Sequence, residues 1–170
     1  RRPGADRPAA GRGVTAAPHH AAAEAGRAIL AEGGNAAEAM IAMAASIAAV
    51  YPHMNHIGGD GFWLIAEPNG KVHGINGSGP AARMATLDYY RSRTKNNEIP
   101  ARGPLGVLTV PGAIDGWRLA HERFGKLAWS ELFDDAIAYA RDGMVVGRSL
   151  ADWLAQDEPI LAAYPATAAI

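Results

Sequence analysis

An α+β protein whose sheet is only partly present is predicted by three features of this 170-residue chain. Ala36 to Val50 reads as a helix apolar on nearly every side, with many alanines and with Met40, Ile41, Met43 and Ile47 spread around it, so it needs cover from two directions. Phe62-Trp-Leu-Ile65 and Lys71-Val-His-Gly-Ile75 flank Pro68-Asn69-Gly70, which is a hairpin signal. Gly106-Val-Leu-Thr-Val110, closed by Pro111-Gly112, is a third strand candidate, and short strands in this number leave edges unpaired. Further strands are expected from another chain or from residues outside this sequence, since no internal repeat supplies them.

Residues 1 to 13 are rich in Arg, Pro and Gly and have little to bury, so a flexible tail is expected there, with the folded part running from 14 to 170. Pro18 suits the first turn of a helix in which Ala22, Ala25 and Ile29 share a face, and Gly33-Gly34 supply its left-handed stop. Asn35 reads as the next N-cap, with Glu38 at capping-box spacing, and Pro52 ends the apolar helix. After the strands, Ala113 to Phe124 predicts a helix ending at Gly125. A following helix is expected to be N-capped by Ser130, with Leu132, Phe133, Ala136, Ile137 and Ala140 as its buried stripe and Gly143 as its stop. Ser149 and Asp152 have capping-box spacing and predict a further short helix.

Composition narrows the function classes. Lys and Arg total 16 against 17 Asp and Glu, a net charge of -1, so no global field recruits nucleic acid or an acidic membrane surface. Arg91, Arg93 and Lys95 lie in a polar run with Asn97 and Pro100 and read as a solvated loop. The absence of cysteine excludes disulfides, thiolate nucleophiles and Cys-based zinc sites. The longest apolar run, Ala36 to Tyr51, is interrupted by Glu38 and Ser46 and falls short of the roughly 20 residues a membrane span needs. The basic start, RRPGADRPAAGRG, is followed by no apolar segment, so no secretory signal is expected in this chain. The compartment stays open, leaning towards cytoplasmic over periplasmic or secreted.

Three chemistries compete for His53-Met-Asn-His-Ile-Gly-Gly-Asp-Gly-Phe62. His53, His56 and Asp60 are possible zinc ligands, but the stretch follows Pro52 and runs into Gly58-Gly59, so no regular element fixes both imidazoles on one face and no metal is expected. The adjacent pair His19-His20 diverges on a helix. A phosphate loop needs its glycines between a strand and a helix N-terminus, whereas Gly58-Gly59-Asp60-Gly61 comes after a helix and before a strand. Downstream, Ser78 sits in Asn76-Gly77-Ser78-Gly79-Pro80; Asn76 stands where a hydrolase elbow requires glycine. That turn is either a plain strand terminus or a surface presenting backbone amides and the Ser78 hydroxyl to a ligand.

Several segments in order resemble the gamma-glutamyltranspeptidase family of N-terminal nucleophile hydrolases. They are Ala22-Ala-Glu-Ala-Gly26, Leu30-Ala-Glu-Gly-Gly-Asn-Ala36, Pro52 through Gly58-Gly-Asp-Gly-Phe62, Val110-Pro-Gly-Ala-Ile-Asp-Gly-Trp117, Phe124-Gly125 and Ala140-Arg-Asp-Gly143. The match covers nearly the whole chain from Gly13 on. The resemblance implies a four-layer αββα sandwich, made as a precursor that cuts its own backbone into a large and a small subunit, with these residues forming the N-terminal portion of the large one. It also implies a catalytic threonine at the start of the small subunit, acting with its own amine, so no catalytic residue is expected in this chain. Thr15, Thr86, Thr94, Thr109 and Thr167 all lie inside the stretch from Gly13 on that the resemblance covers. No cofactor is implied. The implied partners are the small subunit of the same precursor, a small-molecule amide and further copies of the heterodimer.

The family's large subunit carries an arginine just after the second strand that grips the alpha-carboxylate of a gamma-glutamyl donor, and ungapped alignment of Ile75 through Thr86 places Ser78 there. A guanidinium makes two charge-assisted bonds to a carboxylate, roughly 1.5 to 3 kcal/mol each, where a hydroxyl makes one modest bond. The expectation is therefore an amidohydrolase that is not specific for glutathione. Its expected substrate-binding residues are Ser78, Asn76 and Gly77, with His56, Asp60 and Arg83 as secondary candidates. The alternatives are a true gamma-glutamyl transferase or hydrolase and a non-catalytic relative.

Overall fold

A computed structural model describes residues 13–95 and 97–169 of the chain, so the expected tail lies outside the described residues except for Gly13, which rests against Leu30. Helix α1 (His20–Ala31) starts beyond Pro18 rather than on it. His19 is its N-cap, accepting the Ala21 N–H through Nδ1 at 3.2 Å. Burial, and then the neighbouring His20, lower the His19 pKa, which keeps that nitrogen free to accept. At the other end Gly33 adopts φ +94, and the Gly34 N–H reaches back to Ile29 O at 2.9 Å, the left-handed stop expected of this pair.

Helix α2 (Ala36–Val50) has the predicted bounds and cap. Asn35 Oδ1 accepts the N–H groups of Ala37 at 2.9 Å and Glu38 at 3.1 Å, and Glu38 Oε2 accepts the Asn35 N–H at 2.8 Å. The fully buried Glu38 does more than cap its own helix. Its other oxygen accepts the N–H groups of Lys126 and Leu127, and Asn35 Nδ2 donates to Phe124 O at 2.6 Å. One carboxylate thus ties the start of α2 to a segment 88 residues further on. Around α2 the cover comes from α1, from the later helices, and from Trp63 and Trp117, which join Ile29, Ile41, Ala42, Ala45 and Leu132 in one core. Ala21, Ala22, Ile47 and Val50 form a second cluster between α1 and α2.

Strands β1 (Gly61–Ala66) and β2 (Val72–Gly77) pair antiparallel, with Gly61 opposite Gly77 and Ala66 opposite Val72. Gly70 at φ +86 and the Asn69 side chain, which accepts the Lys71 N–H at 2.8 Å, build the predicted turn between them. One sheet face carries Trp63, Ile65, His73 and Ile75 toward the core. The other exposes Phe62, Leu64 and Val72.

The expected third strand at 106–110 is not a strand. Pro104–Gly106 forms a 3-10 turn, and the segment after it contributes only an isolated antiparallel bridge between Ala81 and Thr109, with Val110 N–H donating to Pro80 O at 2.9 Å. β-branched composition alone does not make a ladder; without a flanking strand to supply partners the segment stops at one bridge.

Helix α3 (Leu87–Arg91) is capped by Thr86, and α4 (Ala113–Phe124) ends at Gly125 as expected. Ser130 is not an N-cap: Trp129–Phe133 is a 3-10 helix leading into α5 (Asp134–Asp142), which Gly143 ends at φ +87. Of the predicted stripe Leu132 is buried and Phe133 and Ala136 are half-buried, while Ile137 and Ala140 are exposed. Ser149 lies inside the first turn of α6 (Arg148–Leu161), a helix longer than expected, and its hydroxyl meets His53 Nε2 at 3.0 Å instead of capping. A short α7 (Pro165–Ala168) follows. No helix among the described residues is long and apolar enough to cross a membrane.

Burial by itself would raise the Glu38 pKa, but the N–H bonds from Lys126, Asn35 and Leu127, with His121 nearby, outweigh it and hold the carboxyl below its ordinary value. A lowered pKa means stability that is present above the unfolded-state value and lost as pH falls through the folded-state value. Glu38→Ala in the full-length protein is expected to cost about 3 kcal/mol or more at neutral pH by leaving buried N–H groups unpaired. In urea unfolding, the difference from the parent should shrink as pH drops below the normal carboxylate range; a pH-independent difference would contradict this account.

Candidate functional site

Where the hairpin meets α4, backbone lies against backbone. A Cβ on Gly77 would stand 2.5 Å from Gly61 O and 3.2 Å from Gly112 O, and one on Gly112 would stand 2.3 Å from Gly77 O. On Gly79 it would overlap Val110 O at 1.4 Å. The carbonyl of Gly59 accepts the N–H groups of Gly112 at 3.1 Å and Ala113 at 2.9 Å, which fixes the glycine loop onto the start of α4. Gly77, Gly79 and Gly112 therefore serve close approach of chain segments, an arrangement only residues without side chains permit, whereas a Cβ on Gly58, Gly59 or Gly61 would meet no backbone atom closer than 3.5 Å.

This junction presents the turn that follows β2. Asn76 Oδ1 accepts the Ser78 N–H at 2.9 Å, an Asx turn that orients the next residues. Asp60 then gathers what surrounds it. Its Oδ1 accepts the Gly79 N–H at 3.2 Å and the Thr109 hydroxyl at 3.3 Å, and its Oδ2 accepts the Ser78 hydroxyl at 3.4 Å. The N–H groups of Ser78 and Gly79 are thus engaged inside the protein, while the Ser78 and Asp60 side chains stay exposed.

The other sequence candidates scatter. Gly77 is buried in the backbone junction, and Arg83 is exposed beyond the Ala81 bridge. His56 lies over Gly58 and Gly59, and with Asn55, Asp60 and Phe62 it lines a groove of about 490 Å³ along β1, whose far wall is Ala36, Met40 and Ala44 of α2. His53 turns away toward Ser149 and packs its ring on Tyr51 at 4.1 Å. Among the described residues no group of three or more His, Asp or Glu side chains could hold a metal ion. Thr109 is the participant that sequence reasoning missed; it meets Asp60 across 49 residues, and only the fold brings them together.

The model of one protein family, described as gamma-glutamyltranspeptidase, matches residues 22–170. The chain belongs to the gamma-glutamyltranspeptidase family. It is 49% identical over 144 residues to the oxamate amidohydrolase proenzyme of Klebsiella pneumoniae subsp. pneumoniae, a match covering 82% of this chain and 27% of that protein. It is 37% identical to the glutathione hydrolase-like YwrD proenzyme of Bacillus subtilis, covering 92% of this chain and 30% of the relative. Among solved structures, the gamma-glutamyltranspeptidase of Helicobacter pylori superimposes with a TM-score of 0.83 at 27% identity, covering 91% of this chain and 45% of that one. The chain thus spans less than a third of the length of these two curated relatives. It carries part of the αββα sandwich of the gamma-glutamyltranspeptidase family.

The junction makes a sharp steric prediction. Gly79→Ala should lower stability by about 3 kcal/mol or more or prevent folding, because its Cβ meets a backbone carbonyl that cannot swing aside. Gly74→Ala, within β2 and facing open space, should stay within about 0.5 kcal/mol of the parent. Thermal unfolding of the two variants side by side tests the contrast.

Proposed function

We propose that the whole protein is an autoprocessed amidohydrolase that cleaves a small amide other than glutathione, and that the turn around Ser78 faces its substrate. The observation that carries this reading is the 49% identity to an oxamate amidohydrolase proenzyme across most of the chain, joined to a neutral Ser78 on an exposed turn held by Asn76 and Asp60. In this reading a threonine hydroxyl outside these residues, exposed at a new amino terminus by backbone cleavage, attacks the amide carbonyl. Its own amine takes the hydroxyl proton and passes it to the leaving nitrogen, and water then hydrolyses the acyl ester and restores the threonine. The contribution of this chain is the wall of the cavity and the partner surface for the small subunit.

A true gamma-glutamyl donor would bring an alpha-carboxylate to the Ser78 turn. A serine there offers one neutral bond in place of a bidentate, charge-assisted pair, so affinity for such donors falls by orders of magnitude. The name of the first relative supports a compact amide of a short acid as the substrate class.

Two measurements on the purified full-length product test the proposal. Amino-terminal sequencing should find a second terminus beginning with threonine, and the cleaved protein should release ammonia from oxamate faster than it releases glutamate from glutathione. An uncut chain, or a preference for glutathione, would overturn it.

A further inference from the structure

Asp60 stands out as a carboxylate placed beside the Ser78 turn with no counter-charge. Its three hydrogen-bond donors, the Ser78 hydroxyl, the Gly79 N–H and the Thr109 hydroxyl, are all neutral. Among the described residues it forms no ion pair. It is also exposed, and it lines the groove along β1 together with His56, to which it is not bonded. The carboxylate is therefore oriented by the turn but not neutralised by it, and its field falls on whatever docks against Ser78.

We propose that Asp60 is a specificity-determining residue: its carboxylate, held against the Ser78 turn, selects against ligands that bring a carboxylate to that turn and favours those presenting a neutral amide or a hydrogen-bond donor there. Like charges a few ångströms apart at a partly desolvated surface repel strongly enough to decide between otherwise similar ligands. An acid amide that carries its own carboxylate must then bind with that end turned away from Ser78. A second consequence concerns the serine. An arginine placed at position 78 would lie within reach of Asp60 and pair with it, so its charge would be spent inside the protein. The two positions act as a coupled pair, and neither alone sets the preference.

The inference rests on the reading that the Ser78 turn faces substrate, and its test separates the two. Full-length, processed parent, Asp60→Asn, Ser78→Arg and the double variant are assayed on gamma-glutamyl p-nitroanilide and on its alpha-methyl ester, which differ only in one carboxylate. Asparagine keeps an acceptor for Gly79 and Thr109, removes the charge, and sets an N–H donor toward the Ser78 hydroxyl, which can accept as well as donate. Asp60→Asn is expected to lower KM for the free carboxylate about tenfold relative to the ester with little change in kcat. Ser78→Arg alone should gain little, and the double variant should gain about tenfold more on the free acid than the product of the two single effects. Equal shifts for acid and ester, or a full gain from Ser78→Arg alone, would overturn the inference. If the parent cleaves no amide, the proposed activity fails, and calorimetric binding of glutaramide against glutarate still reads the selection. A preference of the parent for the diamide that Asp60→Asn flattens supports the role of Asp60; equal binding in both proteins, or none, overturns it.

Discussion

The arrangement of this protein depends on one steric constraint, the contact of peptide backbones where the β1–β2 hairpin ends on the start of α4. Gly77 and Gly112 approach so closely that a side chain on either would strike a carbonyl, and the carbonyl that Gly77 would strike first belongs to Gly61. The contact is closed by the two N–H groups at Gly112 and Ala113 that share the Gly59 carbonyl. Because a carbonyl oxygen cannot rotate away as a side chain can, the geometry is rigid, and that rigidity passes to the residues on either side. Asp60 lies between two of these glycines, so its carboxylate is aimed by the backbone and reaches Ser78 and Gly79 without a salt bridge to hold it.

A second anchor works at the opposite end of α4. Glu38, buried in the first turn of α2, satisfies the N–H groups of Lys126 and Leu127, and Asn35 satisfies the carbonyl of Phe124. A carboxylate removed from water is tolerated only when its lone pairs are filled by donors, and here the helix N-terminus and two loop amides fill them. Helix α4 is thus pinned at its start by glycine packing and at its end by this hydrogen-bonded charge. At the same end His73 pairs with Glu67 and sets its ring against Phe124 at 5.2 Å, so the hairpin tip is held to the end of α4 while its glycines fix the beginning.

What could be read from the sequence follows the range over which each signal acts. Helix α2 was legible to the residue because its cap, its apolar surface and its stop at Pro52 are all local. The hairpin was legible for the same reason, since Pro68-Asn69-Gly70 sets the turn within its own few residues. The stretch at 106–110 misled because strand propensity describes a residue's fit to a pleated neighbour, and among the described residues the neighbour amounts to one bridge at Ala81. Ser130 and Ser149 misled as caps because tertiary contacts took precedence: a 3-10 segment packs Leu132 into the core, and His53 claims the Ser149 hydroxyl. Ser78, Asn76 and Asp60 were each visible as polar residues among glycines, but their meeting spans 18 residues and required the hairpin register to be known.

Phe62, Leu64 and Val72 occupy one face of a sheet that has two strands among the described residues, and a two-stranded ribbon is marginal in water unless both packing and pairing are supplemented. Core packing supplies one face through Trp63 and Ile75, but the side chains of the outer face are exposed, and among the described residues no second strand pairs with the free edge of β1. The relatives are two to four times longer than the portion matched, and a four-layer sandwich places a second sheet against the first. An apolar sheet face next to an aimed polar turn is what one wall of such a sandwich looks like before the opposite wall is set against it. The Ser78 turn lies at the rim of that face, directly after the end of β2, so an element that covered Phe62 and Leu64 would also lie beside Asp60 and Ser78.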